Sequence, residues 1–283
     1  SNILFTISTN LTFNAGTSSI SSSASSPSLN GGGNTFYDVS FTATSINTLS
    51  VSGTNTLNNL SIAGRASSGI LFVTLSNNQT INGTLTLSAG TNATMRTMVQ
   101  SDTLGTQRTL TCNAVAALTD IDFRVIVIAG NAVSGGNLTG TRLGDCKGNS
   151  GITFDAPKTV YWSFATSSNW GALTWSLTNG GATSYLAFPL AQDTAVIPSS
   201  SPNAAQTITV NGSYNIGTVD MSDRTANTMT LATGTTSPTI YGNWVTGTGV
   251  TLSGTGSLTY AGRGSQTITS AGHSFTQPSI IHS

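Results

Sequence analysis

The sequence predicts an all-β protein that folds as a right-handed parallel β-helix (β-solenoid), and three observations lead to this prediction. Ser, Thr, Asn and Gly make up about half of the 283 residues, whereas Glu is absent and only 9 basic and 9 acidic residues occur. Short runs alternate polar and apolar residues, which is typical of strands. Short motifs recur along the chain, which is typical of stacked structural repeats.

Strands are favoured over helices because Thr, Ser, Asn and Gly are poor helix formers and the chain has few Lys and no Glu. The alternating runs are separated by Gly, Asn and Ser, and their starts are spaced as in a sandwich, a barrel or a solenoid. The clearest runs lie at 82–90, 206–212, 228–234, 249–256, 257–262 and 265–272.

The repeated motifs favour the solenoid. Gly-x-Ser/Thr-Phe occurs at 33–36, 151–154 and 272–275, and a longer SGT…AGR pattern occurs at 52–70 and again at 253–268. In stacked rungs each inward apolar side chain packs on the rung below. Charged side chains at equivalent positions of successive rungs would lie about 4.8 Å apart and repel each other, which explains why the chain has so few charged residues. The residues predicted to point inward are Ile208, Val210, Leu231, Leu252, Leu258 and Ile268.

The middle of the chain breaks this rhythm. Residues 102–160 contain five of the nine Asp and both Cys, and residues 161–188 contain three of the four Trp. The sequence therefore predicts a Ser/Thr-rich β-solenoid segment over 1–101 and an irregular β insert with an aromatic-rich connector over 102–187. A second β-solenoid segment is predicted over 188–283, and we expect the chain to be processed or truncated because it starts at Ser1 and stops at Ser283.

Composition also excludes several classes of function. A formal net charge of zero without a Lys/Arg cluster removes the electrostatic basis for nucleic-acid binding. The most apolar run, residues 123–130, is far shorter than the roughly 20 residues of a membrane-spanning helix. No nucleotide-binding loop, nucleophile elbow or metal-spaced His/Cys set is found, so no cofactor and no metal are predicted.

The run 119–127 carries the strongest candidate for catalysis. Alternation places Asp120, Asp122 and Arg124 on one face of a strand, with the two carboxylates about 7 Å apart, as in glycoside hydrolases that activate a water molecule. The simpler interpretation, which we favour, is a solvated strand face on which the two Asp balance Arg124. The sequence therefore predicts no catalytic residues.

Aromatic residues concentrate in the connector. Trp162, Trp170, Trp175 and Tyr185 are candidates for a platform that stacks on sugar rings, or for contact with a partner chain. The alternative is that a connector without rungs fills its own core with large side chains. The sequence favours this packing role.

Cys112 and Cys146 are the only cysteines in the chain. An even pair in an extracellular protein is typical of a disulfide. Free cysteines are commonly buried as small apolar residues, and proteins assembled in a reducing cytosol keep their thiols. Both alternatives stay open from the sequence.

The second half of the chain resembles β-helical virion proteins of tailed bacteriophages and is similar in style to secreted β-solenoid surface proteins of bacteria. The resemblance covers roughly residues 185–283 and is carried by SPTIYGNW (237–244), the run GVTLSGTGSLTYAGRGSQTITSAG (249–272) and SFTQP (274–278). It implies a parallel β-helix in a particle that is exposed to the extracellular medium.

The function expected from these observations is that of a non-enzymatic structural protein of a tailed-phage virion. It would form part of a tail fibre, a spike or the capsid surface, and would act in assembly or host-surface attachment. A chain of zero net charge tends to associate, so we expect a homo-oligomer, plausibly a trimer, bound to other virion proteins and possibly to a host-surface glycan. The alternatives are a secreted bacterial adhesin and a β-helical polysaccharide-degrading enzyme.

Overall fold

The computed structural model describes residues 2–7, 11, 13–274 and 278–280. Strands make up 42% of the chain and helix 2%, and the parallel strands stack in a β-solenoid of about 10 turns. The predicted all-β solenoid is therefore confirmed. The chain divides into two compact units, Ser1–Asp155 (unit 1) and Ala156–Ser283 (unit 2).

Unit 1 is a solenoid whose first ten strands alternate between two parallel sheets. The seven-stranded sheet has the order β1-β3-β5-β7-β9-β12-β15, and the six-stranded sheet has the order β13-β10-β8-β6-β4-β2. A short sheet joins β11 to β14, and a 3-10 helix spans Asn131–Val133. The strands are β1 (Asn2–Thr6), β2 (Ser19–Ser22), β3 (Pro27–Asn30), β4 (Thr35–Phe41), β5 (Thr48–Ser52), β6 (Thr56–Ile62), β7 (Gly69–Leu75), β8 (Gln79–Leu87), β9 (Met95–Ser101), β10 (Arg108–Val115), β11 (Leu118–Thr119), β12 (Ile121–Arg124), β13 (Ile126–Ala129), β14 (Gly140–Thr141) and β15 (Gly144–Asp145).

The alternating sequence places one apolar row of each sheet inside the coil. Phe36, Leu57 and Ile81 stand in register on β4, β6 and β8 and are all buried. Inside the solenoid these side chains pack on their counterparts one coil away, which removes apolar surface from water at about 25 cal/mol per Å². This stacking is the physical reason why the alternation repeats along the chain.

A buried amide ladder fixes one corner of the coils in unit 1. The Asn55 Oδ1 accepts the Gly33 backbone N–H at 3.3 Å, and its Nδ2 donates to Gln79 Oε1 at 3.0 Å. Gly53 turns the chain here with φ 78°, and a Cβ on it would lie 2.8 Å from the Gly32 backbone N. The SGT motif therefore needs its glycine both for the left-handed conformation and for the close approach of the neighbouring coil.

Unit 2 uses three strands per coil in most of its length. Its sheets have the orders β18-β16-β19-β22-β25-β28, β17-β20-β23-β26 and β21-β24-β27-β29. All pairings are parallel except that of β16 with β18, and a 3-10 helix spans Tyr185–Ala187. The strands are β16 (Thr159–Trp162), β17 (Ser168–Asn169), β18 (Trp175–Ser176), β19 (Thr194–Val196), β20 (Gln206–Thr209), β21 (Asn215–Ile216), β22 (Thr218–Asp220), β23 (Met229–Ala232), β24 (Thr239–Ile240), β25 (Trp244–Val245), β26 (Val250–Ser253), β27 (Leu258–Tyr260), β28 (Ile268–Thr269) and β29 (Pro278–Ile280).

Four of the six residues predicted to point inward in unit 2 are buried, namely Ile208, Val210, Leu231 and Leu258. Leu252 and Ile268 are aligned with the buried Leu231 and Trp244. Leu252 is nevertheless only half-buried and Ile268 is 40% exposed. Both residues lie on the last strand of their sheet, β26 and β28. No described strand stacks on their outer side, so each is covered from one side only.

The compact units divide the chain at a different place from the three segments expected from the sequence. The expected division after residue 101 falls inside unit 1, because β12 pairs with β9 and β10 pairs with β8. The expected division after residue 187 falls inside unit 2, because β19 pairs with β16. The residues between 102 and 155 thus continue the first solenoid, although their composition differs.

Candidate functional site

The candidate acid pair lies in the interior of unit 1. Asp120 precedes β12 and Asp122 lies on it, and they are 2% and 1% exposed. Their inward neighbours Ile121 and Phe123 are buried as the alternation predicts. The expectation that the carboxylates stand on a solvated face is wrong, because the outer face of β12 is itself covered.

Arg96 of β9 is the main partner of both carboxylates. Its Nε and Nη2 donate to Asp122 Oδ1 at 2.9 and 2.5 Å, and its Nη1 donates to Asp120 Oδ1 at 2.9 Å. The Arg96 side chain is itself only 2% exposed. One guanidinium therefore bonds two buried carboxylates at once, which is the geometry of strong charge-assisted hydrogen bonds.

Arg142 completes the cluster from the following coil. Its Nε donates to Asp120 Oδ1 at 2.9 Å and its Nη2 to Asp120 Oδ2 at 2.5 Å. The backbone oxygen of Arg142 in turn accepts Arg96 Nη2 at 2.9 Å. The register of β9, β12 and β15 stacks Arg96, Asp120 and Arg142 in one column, so charges of opposite sign alternate from coil to coil. We call Arg96, Asp120, Asp122 and Arg142 the ion cluster.

The local backbone explains how the cluster is assembled. Asp120 and Arg142 have φ of 61° and 53°, a left-handed conformation that is uncommon for residues other than Gly, Asn and Asp. Gly144 faces Asp122, and a Cβ there would lie 2.0 Å from Asp122 Oδ1. Only a glycine at this position leaves room for the carboxylate.

Arg124 does not neutralise the acid pair as the sequence predicted. It is half-buried, and its Nη2 donates to Gln100 Oε1 at 2.6 Å. The bulge-like turn at Val125, with φ 59°, ends β12 directly after this residue. The role expected for Arg124 is taken by arginines that come from the neighbouring coils.

The electrostatics of the ion cluster are those of a closed, neutral unit. Burial lowers the pKa of Arg96, but Asp122 and Asp120 outweigh that effect and raise it above its ordinary value. Two guanidinium groups face two carboxylates, and three of the four carboxylate oxygens, both of Asp120 and Oδ1 of Asp122, accept arginine donors. Chemically, this arrangement ties three consecutive coils together.

The aromatic candidates divide into a buried cluster and one exposed residue. Trp162, Trp170 and Trp175 are each at most 1% exposed, whereas Tyr185 is 38% exposed. The Trp175 ring lies 5.4 Å from that of Trp162 and 4.6 Å from that of Trp170, both edge to face. Trp175 Nε1 donates to the Trp170 backbone oxygen at 3.0 Å. The three tryptophans are thus the core of the connector, and a sugar platform built from them is wrong.

Cys112 and Cys146 are both buried thiols, and no disulfide joins them. Cys112 lies on β10 in the six-stranded sheet, whereas Cys146 follows β15 in the seven-stranded sheet. Burial raises the pKa of the Cys112 thiol to about 12. The sequence left open whether Cys112 and Cys146 form a disulfide or remain thiols, and in the structure they are thiols.

We expect this thiol pair to resist modification in the folded protein. Iodoacetamide at about pH 8 attacks the thiolate, and the raised pKa of Cys112 keeps that form scarce. Mass spectrometry of the native chain should detect slow labelling, and unfolding in guanidinium without reductant should make both cysteines react. A native mass lower by two hydrogens, with no labelling after unfolding, would instead identify a disulfide.

Two further features of the described residues bear on function. No group of three or more His, Cys, Asp or Glu in the described part of the chain is placed to hold a metal ion. None of the helices among the described residues has the length and apolar character needed to cross a membrane.

Sequence reasoning missed the arginines that matter most. Arg96 and Asp120 are 24 residues apart, and Asp120 and Arg142 are 22 apart. Buried side chains of neighbouring coils, such as Asn55 and Gln79, have the same separation of 24. A search for opposite charges one coil length apart could therefore have found the cluster.

A third arginine, Arg224, was missed for a different reason. Arg224 follows Asp223 in a stretch that reads as a turn, yet its side chain is completely buried. It donates to the Pro202 and Asn227 backbone oxygens at 2.7 and 3.1 Å. Burial lowers the pKa of Arg224 to about 10. No local pattern distinguishes it from an exposed turn residue.

Comparisons with models of protein families, with curated proteins and with solved structures find no match to this chain.

Proposed function

We propose that this chain is a non-enzymatic structural protein at the surface of a tailed-phage particle, as part of a tail fibre, a spike or the capsid surface. The observation that carries the proposal is the ion cluster. Its carboxylates, the strongest catalytic candidates in the sequence, are buried and bonded to Arg96 and Arg142. They serve to join coils, and they present no oxygen to a polysaccharide.

The sequence adds the link to a particle. The resemblance to β-helical virion proteins covers residues 185–283, and in this range the described strands stack in parallel coils. The chain has a formal net charge of zero. Low net charge promotes association between protein molecules. We therefore expect this neutral, hydroxyl-rich solenoid to assemble with other chains rather than remain a monomer in solution.

Exposed apolar side chains support assembly with other chains. Leu173, Leu177, Tyr185 and Leu186 are 44%, 53%, 38% and 60% exposed, and all lie within one short part of unit 2. Aromatic residues are enriched at the buried centres of protein interfaces. We propose that this segment contacts a second copy or another virion protein, which keeps the partner role expected for Tyr185.

Particles from the native source provide the test. Phage particles purified on a density gradient should contain this chain at a constant ratio to the major capsid protein, as measured by quantitative mass spectrometry. Antibodies against the chain, coupled to gold, should decorate the same place on every particle in electron micrographs.

Two results would overturn the proposal. Recovery of the chain from bacterial cell surfaces that carry no particles would favour the adhesin. Release of reducing ends from capsule or lipopolysaccharide by the purified chain would favour the enzyme. For the second result, Asp120→Asn and Asp122→Asn variants that circular dichroism shows to be folded would establish whether the buried acids take part.

A further inference from the structure

A column of exposed or half-buried amide side chains crosses the six-stranded sheet of unit 1. Asn58, Asn82 and Asn113 follow the buried, registered residues of β6, β8 and β10, and Asn131 continues the column beyond β13. Tyr37 occupies the same position on β4. At the usual spacing of about 4.8 Å between strands, these five positions extend over about 19 Å.

A second polar column runs beside the first. The register of the same sheet aligns Thr35, Thr56, Thr80 and Thr111, two residues before the members of the amide column. The two columns therefore present hydroxyl and amide groups side by side, about 7 Å apart along each strand. The amide column ends at the exposed ring of Tyr37.

The surface above these columns is concave. A cavity of about 480 Å³ is lined by Phe13, Thr35, Tyr37, Asn58 and Asn82, and the segment from Phe13 to Gly16 forms its wall. A second cavity of about 240 Å³ is lined by Thr80, Asn82, Thr111, Asn113, Gly130 and Asn131. The two cavities are neighbours along the columns and share Asn82 as a lining residue, so we treat the surface that they span as one site. We call it the amide groove.

Hydrogen bonds within the protein orient the amides at both ends of the groove. Asn58 Nδ2 donates to Asp38 Oδ1 at 3.2 Å, which turns the Asn58 carbonyl oxygen away from that carboxylate. Asn131 Nδ2 donates to Asn113 Oδ1 at 2.8 Å. These hydrogen bonds hold the amide groups of Asn58, Asn113 and Asn131 in position before a ligand binds. The side chains therefore lose less conformational entropy when a ligand binds.

From these features we infer that the amide groove binds a neutral, extended oligosaccharide. Sugar rings present an apolar C–H face and a rim of hydroxyl groups. The Tyr37 ring offers the aromatic surface for the first, and the Thr and Asn columns offer donors and acceptors for the second. The strand spacing is close to the length of one hexose unit in an extended chain, so successive sugars meet successive coils.

The charges around the groove select for a neutral ligand. None of the lining residues that the structure describes is charged. Asp38, the acid next to it, is half-buried and accepts hydrogen bonds from Asn58 and Asn59. An anionic sugar would therefore find no cation among the lining residues. This site goes beyond the proposed function and stands on the geometry of unit 1 alone, whether or not the chain belongs to a virion.

Binding of defined oligosaccharides to the full chain tests the inference. Cellohexaose, maltohexaose and chitohexaose would be titrated by calorimetry, with the hexamer of galacturonic acid as the anionic comparison. At least one neutral hexamer should bind, and the anionic one should not. Tyr37→Ala should weaken the binding by about threefold to tenfold through loss of stacking, and Tyr37→Phe should retain it. Asn82→Ala should also weaken it about threefold or more.

Two matched variants serve as controls. Asn137→Ala removes an exposed amide of the same unit outside the groove, and Phe164→Ala removes an exposed aromatic ring of unit 2. Both should bind as the unchanged chain does, and circular dichroism should show that all variants are folded. The inference is overturned if none of the neutral hexamers binds. It is equally overturned if Tyr37→Ala and Asn82→Ala bind as tightly as the two controls.

Discussion

Replacing Asp122 by Asn is expected to lower the free energy of unfolding of this protein by about 3 to 5 kcal/mol. The change keeps the size of the side chain but removes one of the two negative charges that face Arg96. The Arg96 guanidinium, 2% exposed, would then share Asp120 with Arg142 and leave a net positive charge in the interior. Urea denaturation followed by far-ultraviolet circular dichroism measures the loss, because this signal reports the strands of both units.

The matched control is the same substitution in an exposed ion pair. Asp102 bonds Arg108 at 2.8 Å, with side chains 32% and 20% exposed, and pairs of this kind contribute about 0 to 1 kcal/mol. Asp102→Asn should therefore change the midpoint of unfolding only slightly. If Asp122→Asn were equally mild, the ion cluster would contribute no more than a surface pair, and its role in joining coils would be wrong.

A paired substitution separates charge from packing. Arg96→Met combined with Asp122→Leu removes one positive and one negative charge and leaves Asp120 with Arg142. Replacing a buried ion pair by apolar residues of similar size is often close to neutral, whereas removing one partner is costly. The double variant should thus be more stable than Asp122→Asn alone, although it changes more atoms.

The fold was predictable because its signals are local. Alternation between polar and apolar residues needs only neighbours in sequence, and it places Ile208 and Leu231 inside the coil correctly. The scarcity of charge followed from the stacking of like residues in successive coils. In the ion cluster the structure avoids repulsion between like charges by alternating their sign, which the sequence did not reveal.

The failures have a common physical cause. Alternation determines on which side of a strand a residue points, but not what covers that side. Asp122 points outward as predicted, and Arg96, 26 residues earlier, covers it. Ile268 is the opposite case: it stands in an interior row of side chains but remains exposed, because no described strand stacks on it. The charged partners lie 22, 24 or 26 residues apart, so local alternation alone could not identify them; a search at the repeat length was needed as well.

The amide groove was also beyond local reasoning. Within their strands, Asn58, Asn82 and Asn113 each stand two residues after a Thr. Within a single strand, such a Thr-x-Asn sequence indicates only two polar side chains on the outer face. Only the register of β6, β8 and β10 aligns them in one column. The wall from Phe13 to Gly16 comes from a segment with no strand pattern. Concavity therefore needed the three-dimensional arrangement.

Replacing Trp175 by Ala should be the most damaging change in unit 2, with a loss of about 3 to 5 kcal/mol in the free energy of unfolding. Its ring is 1% exposed and packs between those of Trp162 and Trp170. Truncation would leave a cavity in the connector. It would also remove the indole N–H that satisfies the Trp170 backbone oxygen. Both losses act on a buried site, where repacking by neighbouring rigid rings is limited.

Tryptophan fluorescence during urea unfolding measures this effect, because all four Trp lie in unit 2 and three remain in the variant. Tyr185→Ala is the matched control, since it truncates an aromatic side chain of the same connector that is 38% exposed. Substitutions at exposed positions usually change stability by about 0.5 kcal/mol or less. A midpoint for Trp175→Ala equal to that of Tyr185→Ala would mean that the tryptophan cluster does not hold the connector together.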